Sequence, residues 1–386
     1  MSSRVLRTLC AAALAAVVAA SPAVAAAAEP SSPGPAREPR ATKSVAELLT
    51  ELKKLYQRAE EASEAYNGTT AKLKKRQAEA KKLDTALVVA RTALGHSRND
   101  AGRLAREQYQ GQSDFSSYVQ LMLSRDPEHA LDQEHVIRRV AAGRAATVKR
   151  LTGAEKRADA LASASRKVLE KQRVLAARQK KQRDTVQSRL RKVEVLLAEL
   201  TAEQIAKVSR LEQQATDKAQ GTLVTSGALS SARPPSQEGD DAVKYAVRQL
   251  GKPYVWGAEG PGSFDCSGLT SQAWANAGRT IPRTSQEQWR QLRKVPLNAL
   301  RPGDLVIYFP KATHVALYVG NGLVVQAPRP GSQVKVSPLA SNPLLGAVRP
   351  DPKSPSLSSY SLPELAPDAS SGSDAGYNSS SAPGDE

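Results

Sequence analysis

Cysteine is nearly absent: the 386 residues hold two, Cys10 and Cys266. Cys10 falls inside an N-terminal segment that reads as removable, so no disulfide framework is available and Cys266 stands alone. One such thiol and four histidines without ligand spacing give no zinc site, and no metal or cofactor is expected. Proline is missing from residues 43–218 except at Pro127, which removes the main obstacle to long helices there. After the first twenty-odd residues no apolar run is long enough to cross a bilayer. Zinc-finger, OB and RRM signatures are also missing, so no nucleic-acid partner is expected despite the basic composition.

What the N-terminus does have is the pattern of an export signal. Arg4 and Arg7 precede an apolar stretch from Leu9 to Ala20, and Ser21-Pro22-Ala23-Val24-Ala25 leads into small residues suited to cleavage. Residues 1–28 are therefore expected to be a signal peptide, and the mature chain to be secreted or associated with the cell wall. The formal charge of +17 is uneven. Residues 43–218 carry 36 Lys and Arg against 23 Asp and Glu, and residues 240–350 carry 13 against 6. The tail from 351 reverses the sign, with 1 against 6. Outside a cell the abundant polyanions are wall polymers and lipid headgroups, so anionic wall polymers are candidate partners of the basic region.

Composition divides the rest. Residues 29–42 are rich in Pro and Ser and expected to be disordered. Residues 43–218 have a coiled-coil composition, dense in Ala, Leu, Lys, Arg, Glu and Gln. Residues 219–239 read as a flexible linker, 240–350 as a globular domain, and 351–386 as a disordered tail. Alternating steps of four and three from Leu48 to Gln108 meet apolar residues at fourteen of eighteen positions, the heptad signature of a coiled-coil seam. A second seam starts at Ile137, degrades after Leu175 and resumes as Val186, Leu190, Val193, Leu197 and Leu200. Two such helices are expected to fold back on each other as an antiparallel hairpin with its tip near 109–135. The tip carries an apolar patch, with Phe115, Tyr118, Leu121 and Met122 as candidate docking residues for a protein partner.

The globular part carries the chemistry. An amphipathic helix is expected from Asp240 or Asp241, as N-cap, to Gly251. Past a Gly/Pro loop, Phe264-Asp265-Cys266-Ser267-Gly268 opens a second helix with Cys266 in its first turn. The unpaired N–H groups there favour a thiolate and can receive an oxyanion. His314 starts a strand, His314 to Gly320, and Leu323 to Ala327 returns after Asn321-Gly322. A three-residue loop puts Gln326 on the face of His314, where it can hold the imidazole; a two-residue loop puts it on the other. Both remain open at this level.

Several stretches together resemble the NlpC family of bacterial cell-wall endopeptidases. They are Tyr254-Val255-Trp256-Gly257, Phe264-Asp265-Cys266-Ser267-Gly268-Leu269, Pro282-Arg283-Thr284-Ser285, Leu300-Arg301-Pro302-Gly303-Asp304-Leu305 and His314 to Gly322, in the family's order over about 110 residues. The resemblance implies an α+β papain-like domain preceded here by a long α-helical antiparallel coiled coil. It also implies cleavage of peptidoglycan stem peptides, typically between the γ-carboxyl of D-glutamate and a diamino acid. Cys266 would be the nucleophile and His314 the base, while Tyr254, Asp265 and Ser267 would line the substrate site. The third position is often histidine in this family and is Gln326 here, an amide that can still accept from an imidazole N–H. The arm resembles the coiled-coil half of division-associated wall hydrolases, which implies a membrane complex of the FtsEX type as partner. Two rivals stand beside this reading: a non-catalytic coiled-coil adaptor, and an acyltransferase or amidase on the same fold. The arm is further expected to fold back and restrain the catalytic domain until a partner engages its tip.

Overall fold

The computed structural model describes residues 44–110, 119, 127–229, 233–361, 363–365 and 369. The expected signal peptide, the 29–42 segment and the tip residues Phe115, Tyr118, Leu121 and Met122 lie outside the described residues.

The arm begins with α1, Val45–Tyr109, an uninterrupted helix of 65 residues. Ser44 caps it, its hydroxyl accepting from the Glu47 amide while the Glu47 carboxylate accepts from the Ser44 amide. Helix α2 spans Pro127–Ala198 and runs back along α1. Near the base Ala59 packs with Val186 and Leu190, further out Thr70 meets Gln179 at 2.8 Å, and further still Arg98 meets Glu155 at 3.4 Å. Rising α1 numbers against falling α2 numbers define an antiparallel, intramolecular pair. The first seam and the resumed part of the second appear where expected, with Leu48, Leu52, Ala59, Leu87 and Ala90 buried on one side and Val186, Leu190 and Val193 on the other, whereas Val140, near the expected start of the second seam, is exposed.

The arm does not run as one unit to 218. Helix α2 ends at Ala198 and a third helix, α3, spans Ala202–Thr225. Thr201 and Gln204 form a reciprocal capping box that starts it. This T-x-x-Q signal lay hidden inside a continuous apolar periodicity. The linker expected at 219–239 is likewise helical as far as Thr225. Gln220 donates to the Gly322 carbonyl at 3.0 Å and accepts from the Ala340 amide at 3.0 Å, while Leu223 and Leu229 pack on the sheet.

The globular part holds α4 (Gln237–Val247), α5 (Cys266–Asn276) and α6 (Ser285–Gln291). Its six strands are β1 (Arg293–Val295), β2 (Leu305–Tyr308), β3 (His314–Gly320), β4 (Leu323–Gln326), β5 (Lys335–Pro338) and β6 (Leu344–Arg349). They form one antiparallel sheet in the order β1-β6-β2-β3-β4-β5. Alternation along the strands separates two apolar faces. Leu305, Ile307, Val315, Leu317, Val325 and Val348 pack under α4 and α5 with Ala242, Val243, Leu269, Ala273 and Trp274. Val306, Tyr308, Ala316, Tyr318 and Val324 face the other way, against Leu339, Leu223 and Leu229. Each fully buried Leu or Val contributes about 1.5–3 kcal/mol, so both layers matter to stability.

Two boundaries differ from expectation. Ser236, not Asp240 or Asp241, caps α4, accepting from the Gly239 amide at 2.9 Å. The α4 start also needs glycine for contact: a Cβ on Gly239 would lie 2.8 Å from the Pro302 carbonyl, and one on Gly303 2.7 Å from the Gly239 Cα. The second boundary is the tail, which is not detached from 351 onward. Asp351 is buried, pairs with Arg301 at 2.8 Å and accepts from the Ser236 hydroxyl, and Ala369 accepts from the Val336 amide at 2.8 Å.

Candidate active site

Cys266 is the first residue of α5, and Asp265 caps that helix by accepting from the Gly268 amide at 2.6 Å. The loop before the helix folds tightly over it, so that a Cβ on Gly268 would collide with the Ala258 carbonyl oxygen. Asp-Cys-Ser-Gly is thus a geometric unit: Asp holds the turn, Gly admits the loop, and Cys occupies the exposed amide end of the helix. The Cys266 sulfur also accepts from the backbone of Val315, which seats it against the start of β3.

His314 opens β3, and Gln326 closes β4. The hairpin between them combines both turn alternatives. Asn321 and Gly322 both have positive φ, at 53° and 70°, as a two-residue type I′ loop requires. A bulge between Tyr318 and Gly320 then absorbs one residue, pairing Tyr318 with Val324 and Leu317 with Val325. The bulge restores the parity a two-residue loop would have reversed, so Gln326 falls opposite Ala316 and shares the His314 face. Its Oε1 lies 2.7 Å from His314 Nε2, which leaves Nδ1 as the nitrogen turned toward the cleft.

Tyr254 and Ser267 are buried in the same cluster. Asp265 is there too, but its charge is already engaged. Arg283 forks onto it with contacts of 3.0 and 2.8 Å, and the Gly257 amide donates to it at 2.8 Å. Arg283 also reaches Ser267 Oγ at 2.8 Å and Glu259 at 3.0 Å. Asp265 therefore organises the site as cap and anchor. Arg283 and Ser285 belong to the stretch Pro282-Arg283-Thr284-Ser285, which by itself implies no role for either.

The residues that pattern reading missed altogether come from the arm. Glu60, Glu64 and Asn67, on successive turns of α1, enter the cleft and are buried. Glu64 Oε1 accepts from Ser267 Oγ at 2.7 Å and lies 3.9 Å from the Cys266 sulfur. Glu64 Oε2 accepts from the Ser285 amide at 2.7 Å. Asn67 donates to Asp265 Oδ2 at 2.9 Å, and Glu60 Oε1 stands 3.5 Å from His314 Nδ1. Beside them Tyr66 packs edge-on against Trp256 at 5.0 Å and Lys311 pairs with Glu61 at 2.7 Å. On the far side Tyr56 lies under Arg329, which is itself forked by Glu212 of α3 at 3.0 Å. Only the i, i+4, i+7 spacing hinted at this stripe, and a solvated coiled-coil face has the same spacing.

Burial sets the protonation states under the arm. It pushes the Cys266 thiol well up, and the charges of Glu64, Asp265 and Glu60 add to the effect. It pushes His314 down to about 4, against the opposing hydrogen bond from Gln326. The expected thiolate at the helix start is therefore suppressed while α1 is docked: thiol and imidazole are both neutral.

A cysteine on a helix N-terminus, a histidine opening the neighbouring strand and an amide behind the imidazole define an α+β papain-like domain of the NlpC type. Comparison with known proteins places it further. The NlpC/P60 family pattern matches residues 251–346. The chain is 39% identical over 142 residues to the probable endopeptidase Cgl2188 of Corynebacterium glutamicum, covering 37% of this chain and 68% of that one. It is 38% identical over 140 residues to the peptidoglycan endopeptidase RipA of Mycolicibacterium smegmatis, covering 32% of this chain but only 28% of RipA. Among solved structures, the NlpC/p60 domain of the peptidoglycan hydrolase SagA matches at 33% identity, over 29% of this chain and 97% of that one, with a TM-score of 0.28. The chain belongs to the NlpC/P60 family.

Proposed function

We propose that the protein is a secreted cysteine endopeptidase that hydrolyses peptidoglycan stem peptides, at the bond between γ-D-glutamate and a diamino acid, with α1 closing its cleft at rest. The observation that carries this reading is the His314–Gln326 contact at 2.7 Å, with the cysteine helix seated on the same strand by the Val315 amide. The names of the relatives, an endopeptidase and a peptidoglycan endopeptidase, support the substrate class.

With the cleft open to water, the burial that holds Cys266 protonated is relieved. His314 Nδ1 takes the thiol proton, and the thiolate attacks the amide carbonyl. Backbone N–H groups at the start of α5 receive the oxyanion. The intermediate collapses as His314 returns its proton to the leaving amine, leaving a thioester on Cys266. Water, deprotonated by His314, then hydrolyses the thioester and frees the carboxylate and the thiol. Gln326 keeps Nε2 engaged throughout and stabilises the imidazolium. A protein partner engaging the arm tip at Phe115, Tyr118, Leu121 and Met122 would favour opening if it binds the open arm better than the closed one.

The test is mass spectrometry of muropeptides released from purified sacculi by the full chain. Wild type should release peptides cut at one stem position, and Cys266→Ala should release none. Equal release by folded Cys266→Ala would falsify the nucleophile assignment. Absence of release by wild type under conditions where Cys266 is readily alkylated would refute the hydrolase reading itself.

A further inference from the structure

The cleft under α1 is unbalanced in charge. Three carboxyl groups, Glu60, Glu64 and Asp265, converge there. The facing cations are few. Arg283 is already forked onto Asp265 and also meets Glu259, and Arg329 is forked by Glu212. The remaining charged neighbours, Glu61 and Lys311, pair with each other at the rim. Cys266, Ser267, Ser285, Tyr254 and His314 complete the lining and carry no positive charge in the closed state. Glu60 Oε2 has no hydrogen-bond partner among the described residues, nor does His314 Nδ1. Glu60 Oε1 and Nδ1 stand 3.5 Å apart, close enough for their charges to interact and too far for a full hydrogen bond. Ionising both glutamates there carries a large desolvation cost, which for Glu64 the hydrogen bonds from Ser267 and Ser285 offset only in part, and protonation removes it.

We propose that Glu60 and Glu64 make α1 an acid latch: the arm closes over Cys266 by taking up protons on these two carboxyls, and releases it as they ionise. The proposal deepens the reading of this cleft as an active site by naming what controls access to it. The direction of titration agrees with the geometry. Burial, then the charge of Glu64, raises Glu60 well above an ordinary carboxyl, and burial, then the charge of Asp265, raises Glu64 to about 7. A carboxyl raised in the closed state supports closure fully below its free value of about 4.3, and that support is lost as pH rises through the closed-state value. Closure should therefore be favoured near pH 5 and weakened toward pH 8, by up to about tenfold in the open–closed ratio per pH unit for each proton released.

The test uses the full chain and reads Cys266 directly, by alkylation with iodoacetamide between about pH 5 and pH 8. The comparison is Glu60→Gln/Glu64→Gln, which keeps the shape and one acceptor oxygen of each side chain but cannot ionise. Because both proteins share the same thiol, their rate ratio cancels its intrinsic titration. Near pH 5 the two should react within about twofold of each other. By pH 8 wild type should react at least tenfold faster, as it opens and the glutamine variant does not. Glu64→Gln alone should give a smaller ratio, and it serves if the double variant folds poorly by circular dichroism. A ratio that stays flat across pH, or glutamine variants that react faster than wild type at pH 8, overturns the latch. Muropeptide release is measured alongside. A rising alkylation ratio without hydrolysis would keep the latch and refute the endopeptidase reading, whereas hydrolysis with a flat ratio would do the reverse.

Discussion

Gln326→Ala should slow the enzyme without silencing it. The Gln326 Oε1–His314 Nε2 contact, 2.7 Å, joins two neutral groups in the resting site. In the proposed acylation step the imidazole becomes imidazolium, and the same bond becomes charge-assisted. Hydrogen bonds to charged partners are worth about 1.5–3 kcal/mol net against about 0.5–1.5 for neutral ones, so the transition state loses roughly 1–2 kcal/mol more than the ground state. That corresponds to a fall in kcat of about five- to thirtyfold, with KM little changed. The hydrogen bond also holds the imidazole pKa up, so its removal should move the acid limb of the kcat/KM profile to lower pH. Gln326→Glu should move that limb the opposite way, because a carboxylate favours imidazolium, and Gln326→His should recover most of the rate. The assay is steady-state hydrolysis of a soluble stem peptide over pH, with Cys266 alkylation confirming that arm closure is unaltered. Full wild-type kcat and an unmoved acid limb in folded Gln326→Ala would remove Gln326 from the catalytic unit.

Two further outcomes concern the frame around the site. Arg283→Ala leaves the Asp265 carboxylate, 1% exposed, without its guanidinium, so unfolding in urea should show a loss of about 3–5 kcal/mol. Arg283→Lys should restore only part of it, because one ammonium cannot reproduce the fork; full restoration would contradict the geometry. A fragment spanning 240–350 should be markedly less stable than one spanning 233–361. It lacks the Ser236 cap, worth about 1 kcal/mol, and strands the buried Arg301 without Asp351. Equal urea midpoints for the two fragments would show that both contacts are dispensable.

The elements read most clearly from sequence were those whose local chemistry matches their environment. Cys266 sits on a helix because Asp265 can cap and Gly268 can be crowded, and both are visible as letters. The seams at Leu48–Ala59 and Val186–Val193 were visible because apolar residues recur at helical spacing. The break at Thr201 was written too, as T-x-x-Q, but the apolar period runs on across it and masked it. The face occupied by Gln326 was not decidable, because it depends on a bulge at Val319–Gly320 that no turn rule announces. Glu60 and Glu64 were the least legible. On a basic coiled coil a glutamate every turn reads as a solvated face, and only tertiary packing turns it inward.

One local feature of α1 does mark that packing. Asn67-Gly68-Thr69-Thr70 lies in the middle of a 65-residue helix, though each of these residues disfavours helix and together they cost roughly 2–3 kcal/mol relative to alanine. An Asn-Gly pair would more readily form a turn. The segment stays helical because other parts of the molecule hold it there. Tyr66 packs on Trp256, Asn67 binds Asp265, and Thr70 accepts from Gln179 of α2. Helicity at 67–70 thus depends on docking more than on intrinsic propensity. When α1 lifts from the cleft, the Trp256 and Asp265 contacts are lost together and the Gln179 bond remains. The open arm should consequently be weakest at residues 67–70. Amide protection at 67–70, after correction for the intrinsic rise of exchange with pH, should fall as Cys266 alkylation rises, while protection at the seam near Leu87 and Ala90 should not. Equal protection of both regions at every pH would mean that the helix is held by the seam alone and that the cleft contributes nothing to it.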